Sequence, residues 1–349
     1  MDFSFDETQL AVHEAVRGVL KRDPLSGQTW PFLRSAGLHV LSFPTSWGGS
    51  GLGAVEVGIV AEALGEAAVV CPFLGAGIAG LVASRATETT ISDWCRATAS
   101  GDVTAISLGG SGRAGLPHAV PASTDGMVTL TADLRAAHCA EDVEWLITPT
   151  TAGPCLLDVR QPAVMSVPVT TSLGTEDLSA PTDIQYRLAG AKARPLFDDR
   201  KDSADVVTEL QRTVFLSYAS GLLKGALRLT TDHLKNRTQF GRPLATFQAA
   251  SQEIADIYIL SAALESVSLY CNWSIDHGEP ADTALDSGLF MFAGEGRAAM
   301  QMCHHLHGGV GVDVTYPLHR YFSLTKDVVR HCGGERENLR RLGTRCSLD

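Results

Sequence analysis

Two short segments in the last third of the chain carry residue types that bind phosphate groups. The first is RTQFGRPLATFQ (237–248), and the second is HLHGGVG (305–311). The guanidinium of Arg237 can donate two parallel, charge-assisted hydrogen bonds to a pyrophosphate. The glycines of the second segment let backbone amides approach phosphate or adenine without interference from a Cβ atom. Together the segments are typical of one half of a site for a large, phosphate-bearing cofactor.

A purely structural interpretation accounts for only part of the first segment. It places a helix C-terminus at Asn236, followed by a turn at Gly241 and Pro243. A new helix would then begin at Phe247. That interpretation does not require Arg, Gln and Phe in this order, nor a second glutamine directly after the phenylalanine.

A glycine pattern earlier in the chain favours a loop over a dinucleotide site. GGSGRAG (109–115) contains GxGxxG after a strand-like run. A dinucleotide site needs a helix N-terminus directly after the glycines. The residues that follow, LPHAVPAST, include two prolines and have no helical period, so we predict no nucleotide binding there.

Histidines and a cysteine crowd one turn near the second motif and raise the question of a metal site. They are Cys303, His304, His305 and His307. Metal ligands on a helix usually lie four residues apart, and a carboxylate elsewhere in the chain usually serves as a further ligand. The three histidines do not have this spacing, and the next acid is Asp313. We therefore predict no metal.

Composition indicates a cytoplasmic, globular protein. The chain has 349 residues, enough for two or three domains, and 45% of them are hydrophobic. Its apolar runs end before the ~18 to 20 residues that a membrane span needs, and its N-terminus lacks the basic start of a secretory signal. The net charge of −11 opposes binding to nucleic acid or anionic lipid. Eight cysteines without a CxxC pair argue against a disulfide framework.

The hydrophobic pattern changes twice along the chain and predicts an α+β, mainly α fold. Helical periodicity dominates residues 1–100, and short runs rich in Val, Ile, Leu and Thr between turn residues predict a β domain at 101–202. Long helical periods return at 203–349 and predict a four-helix bundle. Its helices are expected at 205–236, 247–278, 283–308 and 318–332.

RxQFGxPLxxFQ, followed by a segment of the QxxGGxG type, resembles the cofactor signatures of the acyl-CoA dehydrogenase family. The resemblance covers the whole chain, including the DFSFDETQ start, the FPTSWGGSGLG turn and the AEALGE helix. It implies the fold of that family: an N-terminal helical domain, a middle β domain and a C-terminal four-helix bundle. It also implies FAD, bound between two subunits.

The resemblance implies that residues of both motifs contact the phosphate and adenine end of the FAD bound to a neighbouring subunit. His305 occupies the position where the family usually has glutamine, and a neutral imidazole can still donate one hydrogen bond. The implied contacts are Arg237, Gln239, Phe240, Gln248, His305, Gly308 and Gly309.

The glutamate that the family uses as its catalytic base has no counterpart at either usual position. This base removes the α proton of an acyl-CoA from within a dry pocket. Those positions are occupied by Cys332 and Gln211. An amide cannot take a proton, and an ordinary thiol has a pKa too high for an efficient base. We therefore predict no catalytic residue in this chain, with Glu335 as the candidate for a displaced base.

The chain keeps the cofactor motifs and lacks the catalytic glutamate. In this it resembles the base-lacking subunit of the heterotetrameric (α2β2) acyl-CoA dehydrogenases of actinobacterial steroid side-chain catabolism. The resemblance implies a paralogous partner that supplies the glutamate, a bulky CoA thioester as substrate and an electron-transferring flavoprotein as acceptor. Two alternatives stay open. One is a homo-oligomeric flavoenzyme that uses a displaced base such as Glu335, and the other is a structural or regulatory pseudoenzyme without flavin.

Overall fold

A computed structural model describes residues 4–22, 27–86, 88–107, 117, 119–121, 126–137, 142–169, 172–173, 183–197 and 203–346. The glycine pattern at 109–115 lies outside these residues. The predicted fold class, α+β with mainly helical content, is confirmed.

Five α-helices precede the first strand in the part of the chain that the structure describes. The first begins with a reciprocal capping box, in which the amide of Gln9 donates to Asp6 Oδ1 (2.8 Å) and the amide of Asp6 donates to Gln9 Oε1 (3.1 Å). The fourth, FLGAGIAGLVA, is apolar on every side and fully buried, as expected for a core helix. The helices are α1 (Glu7–Leu20), α2 (Thr29–Ser35), α3 (Ala54–Glu66), α4 (Phe73–Ala83) and α5 (Glu88–Ser100).

Seven strands form one mixed sheet. They are β1 (Val103–Ile106), β2 (Ala119–Pro121), β3 (Val128–Ala136), β4 (Val143–Thr148), β5 (Cys155–Asp158), β6 (Val164–Val169) and β7 (Asp183–Pro195). Their order is β1-β4-β5-β7-β3-β2, and β6 also pairs with β7. Only β1 and β4 are parallel among these pairs. Leu134 lies opposite Tyr186 in the β3–β7 register, and both side chains belong to the apolar core of the sheet.

In the described residues 203–346, the elements are helices and one short β-hairpin. Its elements are α6 (Ser203–Asn236), β8 (Thr238–Gln239), β9 (Arg242–Pro243), α7 (Gln248–His277), α8 (Asp282–Met291), α9 (Arg297–His307), α10 (Leu318–His331) and α11 (Gly334–Cys346). The helix predicted at 283–308 is divided by a π-helical turn at Phe292–Gly296. Two glycines in that turn, FAGEG, weaken the α-helical preference, and such turns are often found at functional sites.

Helix α11 is a difference from the sequence-based expectation, which extends the bundle domain to residue 349 but predicts no helix after residue 332. Its sequence, GERENLRRLGTRC, has too few apolar residues to show a helical stripe. Ion pairs hold it instead. Arg345 Nε lies 3.0 Å from Oδ2 of the fully buried Asp286, and Arg345 Nη2 lies 2.9 Å from Asp282 Oδ1. Both carboxylates belong to α8.

Helix α7 is long and apolar enough, by length and composition, to cross a membrane. A helix packed within a protein meets the same criterion. The buried residues of α7 lie mainly three or four positions apart, which is the spacing of one helix face packed in a bundle. That face contains Ser268 and Asn272, which both hydrogen-bond to the Ser217 hydroxyl of α6 at 2.9 Å. Tyr258 and Ile259 are exposed.

The chain packs into two compact units. One contains Met1–His13, Gly58–Val69 and Phe215–Asp349, and the other contains Glu14–Val57 and Val70–Val214. The sheet lies in the second unit, and both candidate cofactor motifs lie in the first. The three predicted domains follow the type of element along the chain, and their boundaries stay a prediction.

Within the first unit, α6 packs closely on the second half of α3. A Cβ atom at Gly221 would clash with the Glu62 carbonyl oxygen, and one at Gly65 would clash with the Tyr218 carbonyl oxygen. Lys224 Nζ lies 2.7 Å from Glu62 Oε1 and 2.8 Å from a carboxylate oxygen on α7. Glycine at the crossing therefore permits backbone contact between the two helices.

We expect Gly221→Ala to lower the free energy of unfolding by about 3 kcal/mol, because the added methyl group must separate two backbones. Gly343→Ala on α11 is the matched control, since a Cβ atom there meets nothing within 4 Å. The control should be neutral or stabilising, by up to about 1 kcal/mol. Thermal and urea unfolding followed by circular dichroism measure both. Equal stability of the two variants would contradict the close approach.

Candidate functional site

The first motif begins where α6 ends and forms a tight β-hairpin. The amide of Arg237 donates a hydrogen bond to the His233 carbonyl oxygen (2.8 Å), which closes the last helical turn. Strands β8 and β9 then pair, and Phe240 and Gly241 connect them with φ of 53° and 78°. Positive φ at both central residues is the backbone of a type I′ turn, which suits glycine but strains a bulky aromatic residue.

Phe240 is the most unusual residue of this hairpin. Its side chain is 91% exposed, although burying an aromatic ring is a strong source of stability. Its left-handed backbone adds strain of about 1 kcal/mol or more. The ring makes an edge-to-face contact with Phe247, with ring centroids 6.2 Å apart. An exposed and strained aromatic residue is typical of a position that serves binding rather than folding.

Two contacts hold the hairpin against the start of α7. The guanidinium carbon of Arg242 lies 4.2 Å from the centroid of the Phe247 ring, in a cation–π contact. The amide of Leu244 donates a hydrogen bond to the Arg237 carbonyl oxygen (2.9 Å). Gln248 follows Phe247 as the first residue of α7. Both ends of the motif, Arg237 and Gln248, are thereby held in one compact segment, and both side chains are exposed.

The second motif begins at the end of α9 and leaves its backbone accessible. Gly308 has φ 60° and ψ −138°, a conformation that is essentially restricted to glycine. A 3-10 turn follows at Gly308–Val312. Cβ atoms at Gly308 or Gly309 would meet nothing within 4 Å, so these positions face open space. His305 is exposed, as are the apolar side chains of Val312 and Val314.

A stacked pair of imidazole rings joins the two motifs. His233, four residues before Arg237, stacks on His307 with ring centroids 4.4 Å apart and planes inclined by 25°. His307 Nδ1 lies 2.7 Å from the Cys303 carbonyl oxygen, and His307 Nε2 lies 3.1 Å from Tyr316 Oη. The pair thus connects the helix that ends at the hairpin with the helix that ends at the glycine segment.

An open cavity of about 360 Å³ lies beside this pair. Its lining combines charged, amide, imidazole and phenol groups, which are able to bind a polar ligand. The lining residues are Leu229, Asp232, His233, Asn236, Arg237 and Tyr316. The cavity therefore places the cation of the first motif beside a concave polar surface.

The two positions at which the family resemblance predicts a catalytic glutamate, 332 and 211, hold no carboxylate. Cys332 is buried directly after α10, and its carbonyl oxygen accepts a hydrogen bond from Asn338 Nδ2 (3.3 Å). Gln211 is buried on α6. Glu335, the candidate for a displaced base, is exposed on the first turn of α11, and its Cδ lies 3.8 Å from where a Cβ atom of Gly294 would be. Solvent exposure is a poor setting for removing a proton from carbon, since such sites exclude water.

The seven predicted cofactor contacts are all exposed and all belong to the first unit. They offer one guanidinium, two amides, an imidazole, an aromatic face and open backbone at Gly308 and Gly309. This set fits the phosphate and adenine end of FAD, which carries two anionic phosphates and a flat ring. In the described part of the chain, no group of three or more His, Cys, Asp or Glu side chains is arranged to hold a metal ion.

Sequence spacing does not reveal His233 and Tyr316 as neighbours of both motifs, because helix packing brings them together. A signal exists for His233, which precedes Arg237 by four residues and therefore lies on the same side of the helix. His307 was considered only as a metal ligand from the sequence. In the structure it packs as an aromatic ring.

Comparison with known proteins gives the same family as the motifs. The sequence model for the acyl-CoA dehydrogenase N-terminal domain matches residues 6–102, and the model for the acyl-CoA dehydrogenase C-terminal domain matches residues 204–346. The acyl-CoA dehydrogenase FadE28 of Mycobacterium tuberculosis is 35% identical over 353 aligned positions that cover 100% of both chains.

Two solved structures are similar over nearly the whole length. The ChsE4-ChsE5 complex from Mycobacterium tuberculosis matches with a TM-score of 0.86 and 25% identity, over 99% of both chains. A variant of the Tcur3481-Tcur3483 steroid ACAD matches with a TM-score of 0.86 and 25% identity, over 97% of both chains. The chain therefore belongs to the acyl-CoA dehydrogenase family, whose members are oxidoreductases that act on CH–CH bonds.

Proposed function

We propose that this chain is one subunit of a heteromeric, FAD-dependent acyl-CoA dehydrogenase that forms 2-enoyl-CoA. In this proposal it contributes the phosphate and adenine half of the flavin site, and a paralogous partner contributes the catalytic glutamate. The residues that would hold FAD are Arg237, Gln239, Phe240, Gln248, His305, Gly308 and Gly309.

The exposed, strained Phe240 is the observation that carries the proposal. A turn residue with φ of 53° and 91% exposure costs folding free energy within its own chain. That cost is offset if the ring packs against a group on another subunit. Arg237 flanks the same hairpin, so one segment offers both an aromatic face and a cation to the partner's cofactor.

Each residue of the half-site has a separate physical role. Arg237 would bind the pyrophosphate, because a guanidinium matches two phosphate oxygens. Gln248 and His305 would donate neutral hydrogen bonds, and the backbone at Gly308 and Gly309 would approach the ligand closely. Phe240 would exclude water from the charged contacts and thereby strengthen them. When bound, FAD supplies the two-electron acceptor for α,β-dehydrogenation.

The partner follows from the missing base. Desaturation requires removal of a proton from Cα, and neither Cys332 nor Gln211 provides a carboxylate for it. A glutamate on a second chain resolves this. One solved relative is described as a complex of ChsE4 and ChsE5, and the other as a steroid ACAD. These descriptions support a paralogous partner and a bulky, steroid-derived CoA thioester as substrate.

We further propose cytoplasmic action and an electron-transferring flavoprotein as acceptor, both from the family resemblance.

Purification of the chain alone and after co-expression with a paralogous acyl-CoA dehydrogenase chain of the same organism tests the division of the site. We expect flavin absorbance and acyl-CoA-dependent dye reduction only in the complex, because each chain holds half of the cofactor. A yellow, active chain alone would favour a homo-oligomeric enzyme instead. A complex without flavin would favour a structural or regulatory role.

We expect Arg237→Ala to weaken flavin binding by the complex about 10- to 100-fold, since it removes charge-assisted hydrogen bonds worth about 1.5 to 3 kcal/mol. Lys235→Ala is the matched control. Lys235 is exposed on α6, two residues before Arg237, and its substitution removes the same charge. Fluorescence titration of the apo-complex with FAD measures both affinities. An equal effect of both substitutions would indicate only general electrostatic attraction.

Glu335→Gln tests the displaced base. We expect kcat of the complex to change by less than about twofold, whereas loss of a general base lowers it by about 10²- to 10⁴-fold. Glu279→Gln removes another exposed carboxylate and serves as the control. A large loss of kcat confined to Glu335→Gln would assign the base to this chain.

A further inference from the structure

The stacked His233–His307 pair is not among the proposed cofactor contacts, yet it lies where the two motifs meet. His233 fixes the hairpin through its own backbone, because its carbonyl oxygen accepts the amide hydrogen bond of Arg237 (2.8 Å). His307 is the last residue of α9, directly before Gly308. Movement of one ring relative to the other therefore changes the spacing between the hairpin and the glycine segment.

His307 is fixed on both of its nitrogens. The Cys303 carbonyl oxygen is only an acceptor, so Nδ1 of His307 must carry a hydrogen. Nε2 then accepts from the Tyr316 hydroxyl at 3.1 Å when the ring is neutral. The side chain is 4% exposed. These contacts leave the ring of His307 as a rigid platform for the ring of His233.

The surroundings of the pair favour neutral rings. Burial lowers the pKa of His233 from its ordinary value of 6.5, and the charge of Arg237 lowers it further. Burial also lowers the pKa of His307, against the opposing effect of the bond to the Cys303 carbonyl, and the charges of His233 and His304 add to the decrease. The other titratable groups nearby are Asp232, Cys303, Tyr316 and His319.

We propose that His233 and His307 are positioning residues that hold the hairpin and the glycine segment in the arrangement that binds the cofactor, and that they do so only while both rings are uncharged. This inference rests on the proposed function, because it concerns affinity for the dinucleotide end of FAD. Two stacked imidazolium rings would repel each other beside the Arg237 guanidinium. Protonation would therefore separate the two motifs.

The direction of the pH effect follows from the lowered pKa values. The unfolded or separated rings take up protons near pH 6.5, whereas the stacked rings resist protonation. The stacked arrangement thus binds fewer protons, so its stability is complete above about pH 6.5 and falls as the pH decreases below that value.

Three variants of the complex separate stacking from charge. His233→Phe keeps a flat ring at position 233 but removes its titration, and His233→Ala removes the ring. His277→Ala is the matched control. The His277 ring also stacks on an aromatic ring, that of Trp273, with centroids 4.1 Å apart, and its Nδ1 lies 2.8 Å from the Trp273 carbonyl oxygen. His277 is the last residue of α7, so the control removes a similar histidine from another helix. FAD affinity is measured for each at pH 8 and pH 5.5.

We expect wild type and His277→Ala to bind FAD more weakly at pH 5.5 than at pH 8, by up to about tenfold for each ring, because pH 5.5 lies one unit below the ordinary histidine pKa of 6.5. His233→Phe should show a smaller ratio than wild type, because only His307 of the pair can still take up a proton. His233→Ala should bind weakly at both pH values. The same pH ratio in wild type and His233→Phe would overturn the proposal.

A second measurement does not depend on flavin. Hydrogen–deuterium exchange, corrected for intrinsic rates, follows the amides of 237–244 and 308–313 in the apo-protein. We expect exchange in both segments to rise together at pH 5.5 in wild type, to be high at both pH values in His233→Ala, and to rise less at pH 5.5 in His233→Phe than in wild type. Unchanged exchange in His233→Ala would overturn the positioning role. If the complex binds no flavin at pH 8, the half-site proposal fails, and the exchange pattern still decides the role of the pair.

Discussion

Backbone contact between helix α6 and the segment Gly58–Val69 is the constraint on which the candidate site depends. Glycine at 65 and 221 lets the two helices approach until carbonyl oxygens occupy the space of absent side chains. Tyr218 Oη adds a hydrogen bond to the Val69 carbonyl oxygen (2.9 Å), and Lys224 bridges two carboxylates. Because α6 runs without a break to Asn236, this contact also fixes the position, relative to Gly58–Val69, of the helix end from which the hairpin begins.

The hairpin and the glycine segment are exposed surfaces that, in the proposed complex, a second chain covers. An aromatic ring, a guanidinium and several valines are exposed there, and the turn holds Phe240 in a strained conformation. With a net charge of −11, the protein's overall field opposes the binding of an anionic cofactor, so the proposed site relies on local contacts such as Arg237. In this proposal the stacked imidazole pair holds the two segments that offer these contacts. Removal of the α proton requires a carboxylate that this chain lacks at both usual positions.

Much of the fold was predictable because local patterns decide it. Asp6 and Gln9 begin the first helix with a capping box, and the buried stripe of α7 repeats at helical spacing. Helix α11 was not predictable, because Arg345 holds it to Asp286 by charge rather than through an apolar face. The π turn at Phe292–Gly296 was hidden as well, since the residues on either side continue a helical period.

The sequence by itself determined the family, the fold class, and the two motifs with their cation, amides and glycines, because these depend on residue type and local spacing. It also determined that Cys332 and Gln211 hold no carboxylate. Only the tertiary structure decided that Phe240 is exposed on a left-handed turn and that His233 stacks on His307. The physical reason is distance along the chain: residues 74 positions apart meet only after helices α6 and α9 have packed, and no local pattern records that contact.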